Sequence, residues 1–394
     1  MTETALYGYQ RKDGRYGVRN YVAVISTVHC ANAVAQRIAA AADAPCITHE
    51  HGCTEAAAIS RRTELGLIRA GQSPNVFGAL LVGLGCEQIQ MERLREEILR
   101  HTDHVACLSI QDWGGPPRAV EEGISLVRAM QAEAAKQARE PMPFSQLVVG
   151  VQCGGSDWTT ALSGNSTIGE MTDRIIAAGG SVLMGEVYGF PGSEHIVAEH
   201  AVNRQVGLEI LEMVRELRED FLRKSGVTIE SVNPTPGNKA GGITTLVEKS
   251  MGNVKKMGSA PIQGLLQVGE PPPHPGLWIL DNRNEGVDAF NITGFALSLA
   301  HTAVFSSGRG TPVGSAVMPI VKITGNPKRY KALESMFDFN AGTVLEGASL
   351  QEAGDALMSL LLRKLNGEET QAERNGNREY AIPYGGLRLD MGEA

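Results

Sequence analysis

Three apolar runs end in a thiol: Val22 to Cys30, Leu80 to Cys86 and Leu147 to Cys153. Small or polar residues follow each run and a helical pattern follows those. Ligands of open parallel sheets bind outside the carboxyl ends of the strands, so these cysteines stand where a site forms if the strands share a sheet. A fourth thiol, Cys53, closes the segment HEHGC, which holds two imidazoles, a carboxylate and a thiol within five residues. In an extended chain His49, His51 and Cys53 fall on one side, a three-ligand edge for a transition metal. The spacing is neither a CxxC pair nor HExxH, so a structural zinc site is not indicated. Against metal ligation stands packing, because a thiol also serves as a small buried hydrophobe.

Cations and carboxylates complete the chemical inventory. Lys239 lies in PGNKAGG, Lys249 in EKS, and Arg309 in SSGRGTP between Gly308 and Gly310. A guanidinium presented between two glycines suits a bidentate grip on a carboxylate with backbone donors close by. The competing reading is a solvated arginine on a surface turn. Ser156 and Asp157 in CGGSD and Thr311 after Arg309 add polar side chains for the same ligand. Glu186 ends the apolar SVLMG run, and Glu194 with His195 follows in GSEH; a carboxylate at such a place is a helix cap, a ligand or a base. Two nucleotide motifs fail on inspection. Gly83 and Gly85 would open GxGxxG, but Gln88 stands in the third glycine position; Gly237 and Gly242 have P-loop spacing, but Ile243 and Thr244 replace the Lys-Ser/Thr pair. No nucleotide cofactor is expected.

These groups must be held by α/β structure. β-Branched runs alternate with helical stretches from residue 19, restart near 145 and again at LWILDNRN, the pattern of parallel sheets covered by helices. The expectation is two or more Rossmann-like parallel-sheet domains, divided as 1–140, 141–270 and 271–394, with the proline cluster at 271–275 as a connection. Val206, Ile210, Val214, Leu217 and Phe221 recur at helical spacing, predicting one long helix over about 195–224 with a single buried face. A chain of 394 residues with 42% hydrophobic and 20% charged residues has material for more than one core. Its 46 glycines favour close backbone approach to ligands. The net charge of −8 offers no general footprint for nucleic acid or an anionic membrane. With no secretory leader, no apolar run long enough to span a bilayer and only six cysteines, the expected compartment is cytoplasmic.

Taken in order, DGRYGVRN, STVHCAN, HEHGC, VGLGCE, QCGGSD with SGN, AAGGSVLMGEV, NPTPGNKAGGITTLVEKSMGN, and FSSGRGTPVG with MPIVKITGN resemble the large catalytic part of the altronate and galactarate dehydratase family. The resemblance runs from about residue 7 to 345. It implies a lyase that removes water, or sulfite in sulfolactate-type relatives, from a small hydroxy or sugar acid, typically with Fe(II). It also implies a small SAF-type domain, for which the first ten residues leave no room, so a separate small subunit and an oligomer are expected. Trp158, Thr159 and Thr160 after CGGSD and Asn253 in the SMGN segment, where sugar-acid members often have Cys, depart from the family's sugar-acid pattern.

Under that resemblance the chemistry is definite. The proton α to a carboxylate is weakly acidic, so cations must stabilise the enediolate while a base takes the proton and the β-hydroxyl leaves. Arg309, Lys239 and Lys249 suit the carboxylate, with Ser156, Asp157 and Thr311 beside them; His51 or Glu186 is the base; Cys30, Cys53, Cys86 and Cys153 are the metal-ligand candidates. Two rival readings remain: three of these thiols around an iron-sulfur cluster, and a non-catalytic protein that only binds a small anion.

Overall fold

The computed structural model describes residues 5–283 and 287–382; the outer ends of the first and last expected domains lie outside the described residues. Among the described residues fourteen strands make three sheets. In chain order they are β1 (Tyr7–Gln10), β2 (Tyr16–Gly17), β3 (Tyr21–Ser26), β4 (Cys46–Ile47), β5 (Val76–Gly83), β6 (His104–Ser109), β7 (Glu140–Pro141), β8 (Val148–Cys153), β9 (Ser181–Met184), β10 (Ile262–Gln267), β11 (Gly276–Asp281), β12 (Thr302–Ser306), β13 (Ile320–Thr324) and β14 (Phe339–Asn340). An N-terminal lobe has a parallel four-stranded sheet, β4-β3-β5-β6; the larger lobe has a parallel seven-stranded sheet, β10-β11-β9-β8-β12-β13-β14. β1 pairs antiparallel with β2 and β7 in a small third sheet.

Strands buried on both faces read as continuous apolar runs, and period-two alternation sorts their side chains between layers. Val22, Val24, Leu80 and Val82 pack with the helices Asn32–Ala42 and Pro116–Ala134, while Ala23, Ile25, Ala79 and Leu81 point the other way. That second face does not end at the lobe. Its cluster includes Leu67 of the helix Ala57–Gly71 and continues through Phe295 of the helix Asp288–Leu297 to Leu183, Trp278, Ala303 and Phe305 of the large sheet. The opposite face of the large sheet, through Val149, Val151, Val182, Met184 and Val304, is covered by the helices Ser166–Ala177, Arg204–Ser225 and Leu350–Leu365. One apolar layer therefore belongs to both lobes.

The segments 141–270 and 271–394 contribute neighbouring strands to one sheet, β10 beside β11. The proline cluster is thus not a domain connection but the crossover between them. Residues 268–275 must carry the chain back along a six-residue strand, and eight extended residues span roughly 25 Å against about 20 Å for such a strand. The expected long helix starts later than read, at Arg204, because Asn203 breaks it from the short helix Glu194–Glu199: its Oδ1 accepts from the Val206 amide at 3.0 Å as an N-cap. Val206, Ile210, Val214 and Leu217 are buried on its inner face and Phe221 is partly buried.

Polar clasps add direction to the shared layer. Arg19, between the lobes, donates to Glu373 through Nε (2.6 Å) and Nη2 (2.9 Å) and to the carbonyls of Val18, Lys364 and Glu368. Tyr21 Oη and the Thr370 amide also donate to Glu373, at 2.6 and 2.8 Å. Asn75 donates across the lobes to the carbonyls of His301 (2.9 Å) and Val317 (3.1 Å). Burial opposes the Glu373 charge, but Arg19 and the other donors overcome it and hold the carboxyl down at about 2. A depressed carboxyl contributes stability that is complete above its ordinary pKa and is lost as pH falls through the folded value. Glu373→Gln should therefore cost about 3 kcal/mol at pH 7, and the deficit should shrink between pH 4.5 and 2. Urea midpoints of both proteins across that range check this, and a deficit independent of pH would refute it.

Candidate active site

β8 and β9 lie side by side and end at Cys153 and Met184. Past β9 the chain turns through Gly185 into Glu186, which holds a left-handed backbone at φ 61°, a conformation that costs a non-glycine residue of order 1 kcal/mol or more. A Cβ on Gly185 would stand 2.8 Å from Asn282 Nδ2 and 2.9 Å from the Phe295 ring, so the turn needs glycine there. The Glu186 amide donates to Asn282 Oδ1 at 3.2 Å. This places the carboxylate against Cys153, whose amide and thiol both donate to Glu186 Oε2, at 3.1 and 3.2 Å.

The counter-charge comes from a residue that composition and spacing did not single out. Lys256, in the turn after the helix Leu246–Val254, is fully buried. Its Nζ donates to Asn253 Oδ1 (2.6 Å), Glu186 Oε2 (2.9 Å) and Cys153 Sγ (3.0 Å). Burial works against the ammonium, but the thiol and the carboxylate overcome it and keep its pKa above the ordinary value. Burial, and then the Glu186 charge, push the Cys153 thiol up, so the sulfur stays protonated. A second unsuspected residue is Asp288, which opens the helix Asp288–Leu297. Gln152 Nε2 donates to its Oδ1 at 3.3 Å, and a Cβ on Gly154 would meet the carboxylate at 2.7 Å. Burial, then the charge of Glu186, push its carboxyl up to about 7. A carboxyl group that keeps its proton to about neutral pH suits a general acid.

Cys153 also lines a cavity of about 200 Å³ shared with Ser156, Asp157, Trp158, Ala161, Leu162, Asn165, Ile243 and Lys249. Its floor is a π-helical turn, Thr160–Asn165, a form common at functional sites. Of the sequence-derived anion partners Lys249 lines it, and Arg309 bonds to the neighbouring segments Gly155 and Gly237. Lys249 donates to Asn233 Oδ1 (2.8 Å) and Asn238 Oδ1 (3.2 Å), and Arg309 donates to the Gly237 carbonyl (3.0 Å) while its amide bonds to the Gly155 carbonyl. Lys239 is exposed on the same short helix, Pro236–Ala240, as Gly237 and Asn238, and Asn238 Nδ2 donates to the Ser156 carbonyl at 2.9 Å. Asp157 is buried as an organiser of its own loop: it accepts from the amides and hydroxyls of Thr159 and Thr160 and from Asn326. Thr311 offers its carbonyl to Lys322 Nζ at 3.0 Å, which anchors the Arg309 loop.

The histidine and thiol candidates of the N-terminal lobe form a separate group. The HEHGC segment is not a strand. His49 and His51 are buried with rings stacked at 5.7 Å, whereas Cys53 is exposed, so the three do not form one edge. His49 Nδ1 accepts from the His51 amide at 3.1 Å, and burial followed by the His51 charge lowers its pKa to about 4, which keeps it neutral. His51 Nδ1 lies 3.0 Å from Glu55 Oε1. Cys30 and Cys86 are also exposed. Cys53 lies within hydrogen-bond reach of Cys86 and near Cys30; desolvation, then Cys86, push its thiol up. Glu87 folds back to accept from the Gly85 and Cys86 amides at 2.7 and 2.9 Å, which shapes the loop that carries Cys86.

Cys153 sits in the other sheet with an ammonium 3.0 Å from its sulfur, where a second cation would be repelled. Among the described residues no group of three or more His, Cys, Asp or Glu side chains is arranged to hold a metal ion. The described donors therefore do not fit the Fe(II) that the resemblance implies, and no step below is routed through it. Among the described residues no helix is long and apolar enough to cross a membrane.

Comparison with known proteins agrees with this layout. The family model described as D-galactarate/Altronate dehydratase, C-terminal, matches residues 144–387, and D-galactarate dehydratase/Altronate hydrolase, second domain, matches residues 8–135. The altronate dehydratases of Bacillus subtilis and Escherichia coli are 31% and 32% identical to the chain, each alignment covering 97% of it and 78% of the relative. The (2R)-sulfolactate sulfo-lyase subunit beta of Chromohalobacter salexigens is 30% identical over 95% of the chain and 96% of its own length. With both lobes matched by the family's own domains and with relatives aligned over nearly its whole length, the chain belongs to the D-galactarate/altronate dehydratase family and is an enzyme of the hydro-lyase kind.

Proposed function

We propose that this chain removes water from a small 2,3-dihydroxy acid and yields a 2-oxo acid, in the cavity beside Cys153. One observation carries the reading: Glu186 sits on a buried ammonium at the carboxyl ends of the adjacent strands β8 and β9, its charge reaches the Asp288 carboxyl at the start of the helix Asp288–Leu297, and Cys153 joins this cluster to a cavity that Lys249 also lines. Lys249 and Arg309, with Lys239 at the mouth, hold the substrate carboxylate. Glu186, oriented by Lys256 and the Cys153 amide, takes the C2 proton; the electron pair forms the C2=C3 bond as the C3–O bond breaks. Asp288 gives its proton to the leaving hydroxyl, which departs as water, and the enol tautomerises. The cations stabilise the charge that gathers on the carboxylate in the transition state. His51, held by Glu55 in the other lobe, takes no part in this scheme.

A second subunit belongs to the proposal. The sulfo-lyase relative that aligns end to end is a β subunit, which supports a small partner chain for this one. That relative also supports sulfite as a competing leaving group, and the same proton abstraction at C2 serves both eliminations.

The test is a screen of hydroxy acids for 2-oxo acid formation, with wild type and Glu186→Gln, alone and with a small partner subunit. Turnover in wild type and a loss of about 10²-fold or more in the variant are expected; equal rates would remove Glu186 from the chemistry. Asp288 must be protonated to act, so kcat should fall as pH rises through about 7. Asp288→Asn should lower kcat and abolish that alkaline limb; an unchanged limb assigns it to another group. Arg309→Lys should leave the thermal midpoint unaltered and cost about 2 to 4 kcal/mol in kcat/KM, since lysine lacks the guanidinium fork. Unaltered kinetics would take Arg309 out of the site.

A further inference from the structure

Most polar groups that line the cavity beside Cys153 are already used by the fold, and what they leave over bears on the ligand, given the site proposed above. Asp157 accepts through both oxygens, from Thr159, Thr160 and Asn326, and the Thr160 hydroxyl also accepts from the Asp157 amide at 3.0 Å. Asn165 Nδ2 donates to the Gly252 carbonyl at 2.9 Å, and its Oδ1 is buried. Lys249 spends N–H groups on Asn233 and Asn238. Two lining side chains stand apart, Ser156 and Glu248.

Ser156 is only 5% exposed, and Asn238 fixes its backbone through the bond to its carbonyl. Among the described residues its hydroxyl bonds to no other group, yet the oxygen is not sealed from the cavity. A hydroxyl buried to that degree normally has a partner within the protein, so here the partner must come from the cavity. Glu248 is the third residue of the helix Leu246–Val254, and its amide donates to the N-cap Thr245 Oγ1 at 3.2 Å. Its Oε2 accepts from the amide and hydroxyl of Thr244, at 2.9 and 3.0 Å. The Thr244 amide does most to hold the carboxyl below its ordinary pKa, so the group is ionised near neutral pH. Among the described residues nothing donates to Oε1. An ionised carboxylate can only accept; whatever meets that oxygen must carry a proton, as a hydroxyl does and a methylene does not.

We infer that Ser156 and Glu248 are specificity-determining residues that read a substrate hydroxyl beyond C3. Glu248 accepts from that hydroxyl, and Ser156 bonds to it or to a hydroxyl on the neighbouring carbon. Both residues are held by bonds that leave the reading atoms spare, so the pair is set before the ligand arrives. A ligand with an alkyl chain at that place displaces solvent from both groups and replaces none of the lost hydrogen bonds, which is how a site built for a hydroxyl rejects the analogue that lacks it.

The test measures binding of acids that lack the 3-hydroxyl and so cannot lose water, which separates it from the dehydratase reading. Calorimetric titration compares epimeric 3-deoxyhexonates with 2-hydroxyhexanoate, of equal carbon count, on wild type, Ser156→Ala and Glu248→Gln. The best polyol should bind wild type at least about thirtyfold more tightly than the alkyl acid. Glu248→Gln keeps an acceptor for Thr244 but turns a donor toward the cavity, and should cut that ratio about tenfold; Ser156→Ala should cut it about threefold or more. Ser156→Ala breaks no internal hydrogen bond, so its thermal midpoint should match wild type, and it keeps the test valid if Glu248→Gln loosens the helix. Equal affinities in wild type, no binding of either acid, or a ratio that neither variant alters overturns the inference. So does an equal loss of affinity for both acids in the variants, which would make the two residues structural. Turnover of a 2,3-dihydroxy acid with an unaltered ratio leaves the dehydratase reading standing without the inference. A preference eroded in the variants with no turnover of any 2,3-dihydroxy acid supports the inference and defeats the dehydratase reading.

Discussion

A positive charge taken wholly out of water constrains this structure more than any other interaction. An isolated buried ammonium is untenable, and a buried pair is tolerable only when the remaining donors are also satisfied. Lys256 meets that condition with three acceptors on three separate segments: Glu186 after β9, Cys153 at the end of β8 and Asn253 on the preceding helix. Each acceptor must arrive at a fixed point, so the ammonium sets the left-handed turn at Glu186, the register of the two strand ends and the seat of the helix Leu246–Val254. Removing one member leaves the others as uncompensated buried groups, which is more costly than never burying them.

The parallel sheets supply what that cluster requires. Adjacent parallel strands end on the same side, so Cys153 and Glu186 meet although 33 residues separate them, and the loops beyond the strands form the cavity. Glycines permit the close approaches. Gly308 lies against Asp157, where a Cβ would fall 2.3 Å from the carboxylate, and Gly154 lies against Asp288, where it would fall at 2.7 Å. The shared apolar layer between the lobes then fixes the platform, since the helix that begins with Asp288 packs on the N-terminal lobe's helix Ala57–Gly71.

How much of this was legible in the sequence follows from what periodicity encodes. The alternating α/β pattern, the buried stripe from Val206 to Leu217 and the position of Cys153 at a strand end all follow from burial, which a single sequence displays. Sheet membership does not, because neighbours in the sheet are set by the crossovers. The division at 270 therefore failed: a run of prolines looks the same whether it links domains or returns an extended chain to the next strand. Lys256 was invisible because a buried lysine has the same letter as a solvated one; only the acceptors around it, distant in sequence, mark it out. Asp288 was hidden likewise, since its proton affinity arises from Glu186 and from burial. Lys249 and Arg309 were legible as cations in glycine-rich segments; the fold puts Lys249 on the wall of the cavity and ties Arg309 to the Gly237 carbonyl. HEHGC was read as extended, but the turn that pairs His51 with Glu55 leaves Cys53 apart from the stacked imidazoles.

Residue 253 shows how tightly the cluster is coupled to its surroundings. Asn253 Oδ1 accepts from Lys256 at 2.6 Å, while the other end of the amide lies so close to Gly189 that a Cβ there would stand 2.5 Å from Nδ2. The amide thus bridges the charged cluster to the turn that follows Glu186, and that turn must carry glycine to admit it. A thiol at 253 would be shorter and a weaker acceptor, and would leave space beside Gly189. The ammonium would then depend more heavily on Glu186 and Cys153. Asparagine at this position therefore belongs to the same buried arrangement as Lys256, Cys153 and Glu186, and a change there is felt by all three.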